Sequence, residues 1–294
     1  METARCKAFL RAVDMGSMTS AAESLGYTTA AVSQLVASLE SELGMKLLDR
    51  SRRGVTLTHA GAEMLPVIRQ LVSDESALYE RASEIKGLLA GTVTIASYPS
   101  MATYWLPAVI QNFRADYPNI EIHLMEGIRQ EIIEWISDGT ADMGFLSDIG
   151  EMDCDWIRLA GDRMVAVLPR SHPLADAERY PVKRYLKEDF IMPALGRDVD
   201  LEAVLKRNHV QPQIRFSTME APAVFALIES GLGVSLANEL CTTMWSERLA
   251  VLPLDPPEFI TYGIGTPHNH YLSPAAEKFK EYAVRMLSTQ DRKK

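Results

Sequence analysis

The chain has 294 residues, 47% of them apolar and 23% charged, with a formal net charge of -9. That length allows about two domains with sizeable cores, and no apolar run is long enough to cross a bilayer. Charges scattered through METARCKAFLRAV argue against an export signal there, and Cys6, Cys154 and Cys241 stand far apart outside any C-x-x-C spacing, so a reducing, cytoplasmic setting without disulfides or a metal site is expected.

Charge is unevenly placed. Residues 1–90 hold 10 Lys and Arg against 11 Asp and Glu, whereas the remainder holds 20 against 28. Residues 2–14 read as a helix with Phe9, Leu10 and Val13 on one face. The stretch GSMTSAAESLGYTTAAVSQLVASLESEL (16–43) then predicts two short helices joined by a tight turn. Ser20-x-x-Glu23 fits a capping box for the first helix, and Ser17 before it is expected among the DNA contacts. Gly26 suits a left-handed helix end, and Thr28 a cap for the second helix. That helix sends Val32, Leu35, Val36, Leu39 and Leu43 to one side at helical spacing. Its opening turn, Thr28, Thr29, Ala30, Ser33 and Gln34, is small, polar and uncharged. Such a start can enter the DNA major groove, where hydroxyls and amides meet base edges and phosphates. The plainer alternative is a helical hairpin whose Ser and Thr only cap.

In MKLLDRSRRGVTLTHAG, Lys46, Arg50, Arg52 and Arg53 cluster with only Asp49 opposing them. Short strands at 47–48 and 55–57, turning at Arg53-Gly54, make a β-wing whose arginines, with Thr58 at its end, reach phosphate or the minor groove. AVDMGSMTSAAESLGYTTAAVSQLVASLESELGMKLLDRSRRGVTLTHAG resembles the N-terminal winged helix of the LysR-type transcriptional regulators, without a gap. The family often has Gln-Pro where this chain has Thr29-Ala30, and Arg where it has Gln34, so base preferences do not transfer.

From Thr58 the pattern is helical. Leu65, Ile68, Leu71, Val72, Leu78, Tyr79, Ile85 and Leu88 recur at three- and four-residue steps, with a bend expected at Pro66. Such a stripe is most simply buried against a second copy, and the resemblance implies the dimeric linker helix. Strands and helices then alternate. Strands are expected at 93–97, 120–125 and 141–147, with helices at 100–113 and 130–137. A second block has strands at 164–168, 191–192 and 213–217, helices at 201–208 and 220–230, a returning strand at 259–265 and a final helix at 273–287. The fold class is α/β, with an N-terminal winged helix-turn-helix, a long linker helix and a two-lobed effector domain like that of periplasmic binding proteins. The boundaries drawn are 1–58, 59–90, lobe I at 91–161 with 268–294, and lobe II at 162–267.

Ligands of open α/β sheets sit at strand carboxyl ends beside helix starts. Ser97, Ser100 and Met101 follow the first strand, Arg129 the second and Ser147 the third; Thr218 and Glu220 open a helix in the other lobe. A carboxylate of the effector is expected against Ser100, with an uncharged or cationic part toward Thr218 and Glu220. Each Ser or Thr could equally be a plain cap. Gly231-x-Gly233 follows a helix, not a strand, so a dinucleotide site is not expected. The six histidines form no metal spacing, and neither a G-x-S-x-G elbow nor a P-loop occurs. The reading is a DNA-binding regulator, not an enzyme, without cofactor and controlled by a small organic effector. The alternative is a solute-binding protein or an enzyme on the same two lobes. The resemblance further implies double-stranded DNA with an interrupted inverted repeat, a homodimer assembling to a homotetramer, RNA polymerase as a candidate partner, and no membrane.

Overall fold

The computed structural model describes residues 2–51, 54–85, 89–150, 152–268 and 271–288. Its N-terminal unit comprises α1 (Thr3–Asp14), α2 (Met18–Leu25), α3 (Thr29–Leu43) and a hairpin of β1 (Leu48–Ser51) and β2 (Gly54–Leu57). Gly26 and Gly44 end α2 and α3 in the left-handed region, at φ 67° and 70°, where a side chain would be strained. Thr28 caps α3, accepting from the Ala31 N–H at 3.2 Å. The expected capping box at Ser20 is displaced: Ser17 is the cap, accepting from the Ser20 N–H at 3.3 Å, so Ser20 already lies inside the first turn. Phe9, Val32, Val36, Leu39 and Leu47 fill the core.

The long helix α4 (His59–Ile85) has 27 residues, about 40 Å at 1.5 Å per residue, and runs on through Pro66. Its apolar stripe divides. Ile68 is buried, and Met64, Leu65, Leu71 and Val72 pack with it on the core of the N-terminal unit. Val67, Leu78, Tyr79 and Ile85 are exposed. A single stripe facing a second copy is therefore corrected: its first half closes the chain's own bundle. Leu88 lies outside the described residues.

Lobe I is built from β3 (Gly91–Ser97), α5 (Pro99–Tyr104), α6 (Leu106–Asp116), β4 (Ile120–Glu126), α7 (Arg129–Ser137) and β5 (Met143–Ser147). The single helix expected over 100–113 is two, because Pro107, second in α6, has no N–H to continue the preceding turn. The chain then crosses on β6 (Asp155–Pro169). Lobe II adds β7 (Tyr180–Pro181), β8 (Asp189–Met192), α8 (Val199–Arg207), β9 (Gln213–Ser217), α9 (Ala221–Glu229) and β10 (Ser235–Asn238). The return is on β11 (Leu249–Thr266), and α10 (Pro274–Leu287) closes lobe I.

The main sheet has the order β10-β6-β11-β5-β3-β4. β4, β3 and β5 are parallel, whereas β11 is antiparallel to β5 and β6. The second block is thus mixed rather than purely parallel, with β8 and β9 as a separate parallel pair. Both crossings fall inside long strands. Residues 262–265 of β11 already pair with β5 in lobe I, a few residues before the boundary drawn at 267. Gly231-x-Gly233 is a structural turn: at Gly233, φ 156°, a Cβ would lie 2.5 Å from the Asp189 carbonyl oxygen.

Candidate functional site

Two surfaces collect the candidate residues. On α3 the buried face carries Val32, Val36 and Leu39, which turns Thr28, Thr29, Ala30 and Gln34 outward and leaves Ser33 half-buried beside them. Ser17 is half-buried at the start of α2, and Arg50 is exposed on β1. Arg52 and Arg53 lie outside the described residues. Thr58 is corrected as a DNA contact. Its hydroxyl donates to the Lys46 carbonyl at 2.7 Å and accepts from the Gly61 N–H at 2.9 Å, so it has no proton for a phosphate and instead ties the wing to α4.

What sets the wing against α3 is Glu40, which sequence reasoning passes over. Its carboxylate is 4% exposed, and its Oε1 accepts from the N–H groups of Leu47 and Leu48 at 2.9 and 3.1 Å. Lys46 Nζ adds a contact at 3.1 Å to the other oxygen. Burial works against the charge, but those two N–H groups and the ammonium outweigh it and hold the carboxyl below its usual range. Only a turn that folds 47–48 back onto α3 makes this pairing, and a Glu on an amphipathic helix does not announce it.

The second surface is a cavity of about 640 Å³ between the lobes, walled by α5, the start of α7, α8 and α9, with Ile260 and Tyr262 of β11 along its floor. Tyr98, Tyr104, Met164, Phe225 and Trp245 supply apolar wall. Tyr104 on α5 also donates to the Cys241 carbonyl of lobe II at 3.4 Å, one of the ties between the lobes. Of the expected effector residues, Ser100, Arg129 and Glu220 line the cavity. Ser97, Met101, Ser147 and Thr218 do not. Ser97 and Met101 are fully buried behind the wall, and the Ser97 hydroxyl donates to the Tyr98 carbonyl at 2.9 Å. Thr218 is held by its backbone between Met192 and Leu195. Strand-end side chains point alternately to either side, and those of Ser97 and Ser147 face the core rather than the cleft. Ser100 does not cap its helix: Tyr98 is the cap and Pro99 opens α5.

Ser147 belongs to a network just beneath the cavity. Asp200, on α8 of lobe II, lies with Oδ1 2.5 Å from the Ser147 hydroxyl. The Tyr98 hydroxyl is 3.3 Å from the Ser147 hydroxyl oxygen, and the Arg129 guanidinium donates to the Ser147 carbonyl at 2.7 Å. Burial, reinforced by the Asp198 charge, raises Asp200 to about 7, against the Ser147 bond and Arg129, which favour its ionised form. Burial also pushes the Cys241 thiol up to about 12, so this cleft cysteine stays a neutral thiol. Sequence reasoning missed Asp200, Asp198 and Glu126, all of which line the cavity. An acid inside an N-terminal helical turn reads as an ordinary dipole partner, and its burial depends on the other lobe.

Residues 4–62 match the model of bacterial regulatory helix-turn-helix proteins of the lysR family, and residues 86–288 match that of the LysR substrate binding domain. YvbU, a transcriptional regulator of the helix-turn-helix type from Bacillus subtilis, is 28% identical over 293 residues, 99% of this chain and 100% of that protein. A full-length single-residue variant of OxyR from Pseudomonas aeruginosa has a TM-score of 0.79 at 18% identity, over 98% of each chain. Full-length CbnR in complex with its target DNA has a TM-score of 0.65 at 18% identity, over 97% of this chain and 99% of that one. No described helix is long and apolar enough to cross a membrane.

Proposed function

Given that the chain belongs to the LysR family, and is a DNA-binding transcriptional regulator modulated by an effector, we propose how it assembles and responds. Two copies join along the exposed part of α4, through Val67, Leu78 and Ile85. Each presents the opening turn of α3 to one half of an interrupted inverted repeat. Two such dimers make a tetramer, whose DNA contacts are bent or relaxed as the effector fills the cavity between the lobes. RNA polymerase is the further partner at the promoter.

The observation that carries this reading is the uncovered turn Thr28 to Gln34, polar and uncharged, on a helix whose opposite face is fully packed. Footprinting of the full chain on the DNA upstream of its own gene tests it. Two protected half-sites are expected one or more helical turns apart, with protection that changes when a ligand of the cleft is added. A single unpaired footprint, or none, would overturn the dimeric reading.

A further inference from the structure

The chemistry of the cleft says what kind of effector it takes, an inference that rests on the effector-binding reading above. Five carboxyl groups, Glu126, Glu131, Asp198, Asp200 and Glu220, line the cavity against two guanidinium groups, Arg129 and Arg197. Helix starts facing a cleft are the usual attraction for an anion, but each of those around this cleft carries an acid or a proline, and α8 is capped outright. Glu131 accepts from the Ile128 N–H at the start of α7, at 2.9 Å. Asp198 caps α8, accepting from Asp200 and Leu201 at 3.1 and 3.0 Å. α9 has Glu220 at its cap and a proline in its first turn, and α5 opens on Pro99, which has no N–H. Arg129 is buried and donates to the Ser147 carbonyl. Arg197 remains, resting against Met219 Sδ at 3.7 Å on the lobe II side.

Two acids are differently placed. Glu126 ends β4 on the lobe I side, and Glu220 stands on the lobe II side. Both are exposed to the cavity, and neither forms an ion pair among the described residues. The same cavity is lined by the apolar and aromatic side chains of Tyr98, Tyr104, Met164 and Phe225. A carboxylate entering this space meets two like charges. A cation meets two opposite charges, and the ring faces add attraction of their own.

We propose that the effector carries an ammonium group on an apolar body, the ammonium held between Glu126 and Glu220 and the body lying along Tyr98, Tyr104 and Met164. This keeps the expected cationic part toward Glu220 and replaces the carboxylate expected against Ser100.

The test is a thermal-shift panel on the full chain, made of metabolite-sized primary amines, each with the carboxylate and alcohol of the same skeleton, followed by calorimetry on the best skeleton. The amine should bind at least about ten-fold more tightly than its carboxylate. Glu126→Gln and Glu220→Gln should each weaken the amine roughly five- to ten-fold. Together they should remove the preference, while the unliganded protein melts as before. A carboxylate that binds more tightly than its amine overturns the proposal. So does an amine indifferent to both substitutions, or a panel in which no amine binds. If no small molecule of any class changes operator binding, the effector reading itself fails.

Discussion

The Asp200 carboxyl of lobe II and the Ser147 hydroxyl of lobe I are 2.5 Å apart, joining the two lobes beneath the effector cavity. Asp198, Asp148, Arg129, Tyr98 and Tyr262 are charged or titratable groups that act on this pair. Because burial raises Asp200 to about 7, the folded chain keeps a proton that the unfolded chain releases near pH 4. The stability it lends is complete below about pH 4, falls as pH rises to about 7, and is flat above. The loss is on the order of a few kcal/mol. Asp200→Asn should therefore melt higher than wild type at pH 8 and nearly equally at pH 4. Asp142, half-buried and raised by desolvation to about 6, acts in the same direction, so part of the slope should survive the substitution. Calorimetric melting of both proteins from pH 4 to 8 checks this; an identical slope would place the proton elsewhere.

Glu40 makes a different prediction. Glu40→Ala leaves the buried N–H groups of Leu47 and Leu48 without their acceptor, at about 1–3 kcal/mol each. The N-terminal unit should melt earlier and operator affinity should drop, while ligand binding in the cleft is kept. Since the Glu40 carboxyl is held below its usual range, its support is present at neutral pH and is lost as pH falls through that lowered value. Separate calorimetric transitions for the two units would show the effect; an unchanged first transition would deny Glu40 the anchoring role.

How much was legible followed from how local each signal is. Thr28 caps α3 and Gly26 ends α2 because a hydroxyl and a missing Cβ act within three residues. The order of strands and helices was legible for the same reason. Asp200 was not, because its partner is 53 residues away in the other lobe. Ser97 and Ser147 sit on the right strand ends but face inward, since which side of the sheet a strand-end side chain takes depends on register, and Met101 is buried on α5. The stripe of α4 misled in part, because periodicity tells that a face is apolar and not what covers it.

Within α3, Gln34 is exposed beside the half-buried Ser33. Gln34→Ala should lower specific operator affinity by about 1–3 kcal/mol and leave binding to unrelated DNA nearly intact. Arg50→Ala, on β1, should weaken both kinds of binding and lower the salt slope by about one unit. Titrations on operator and random duplexes at several salt concentrations separate the two roles. An unchanged ratio of specific to non-specific affinity in Gln34→Ala would mean that this helix does not read the bases.

The last prediction concerns α4, where Leu78 and Ile85 are 68% and 82% exposed while Ile68 is 2% exposed. Glu at both Leu78 and Ile85 places four carboxylates between two copies that would meet there, and should separate the dimer while leaving helix content and the first melting transition unchanged. Ile68→Glu should do something else: a charge buried in the chain's own bundle costs several kcal/mol and unfolds the N-terminal unit. Sedimentation velocity distinguishes the outcomes. A Leu78→Glu, Ile85→Glu protein that sediments as a dimer would move the interface off this helix face, and would leave these apolar side chains for another partner to cover.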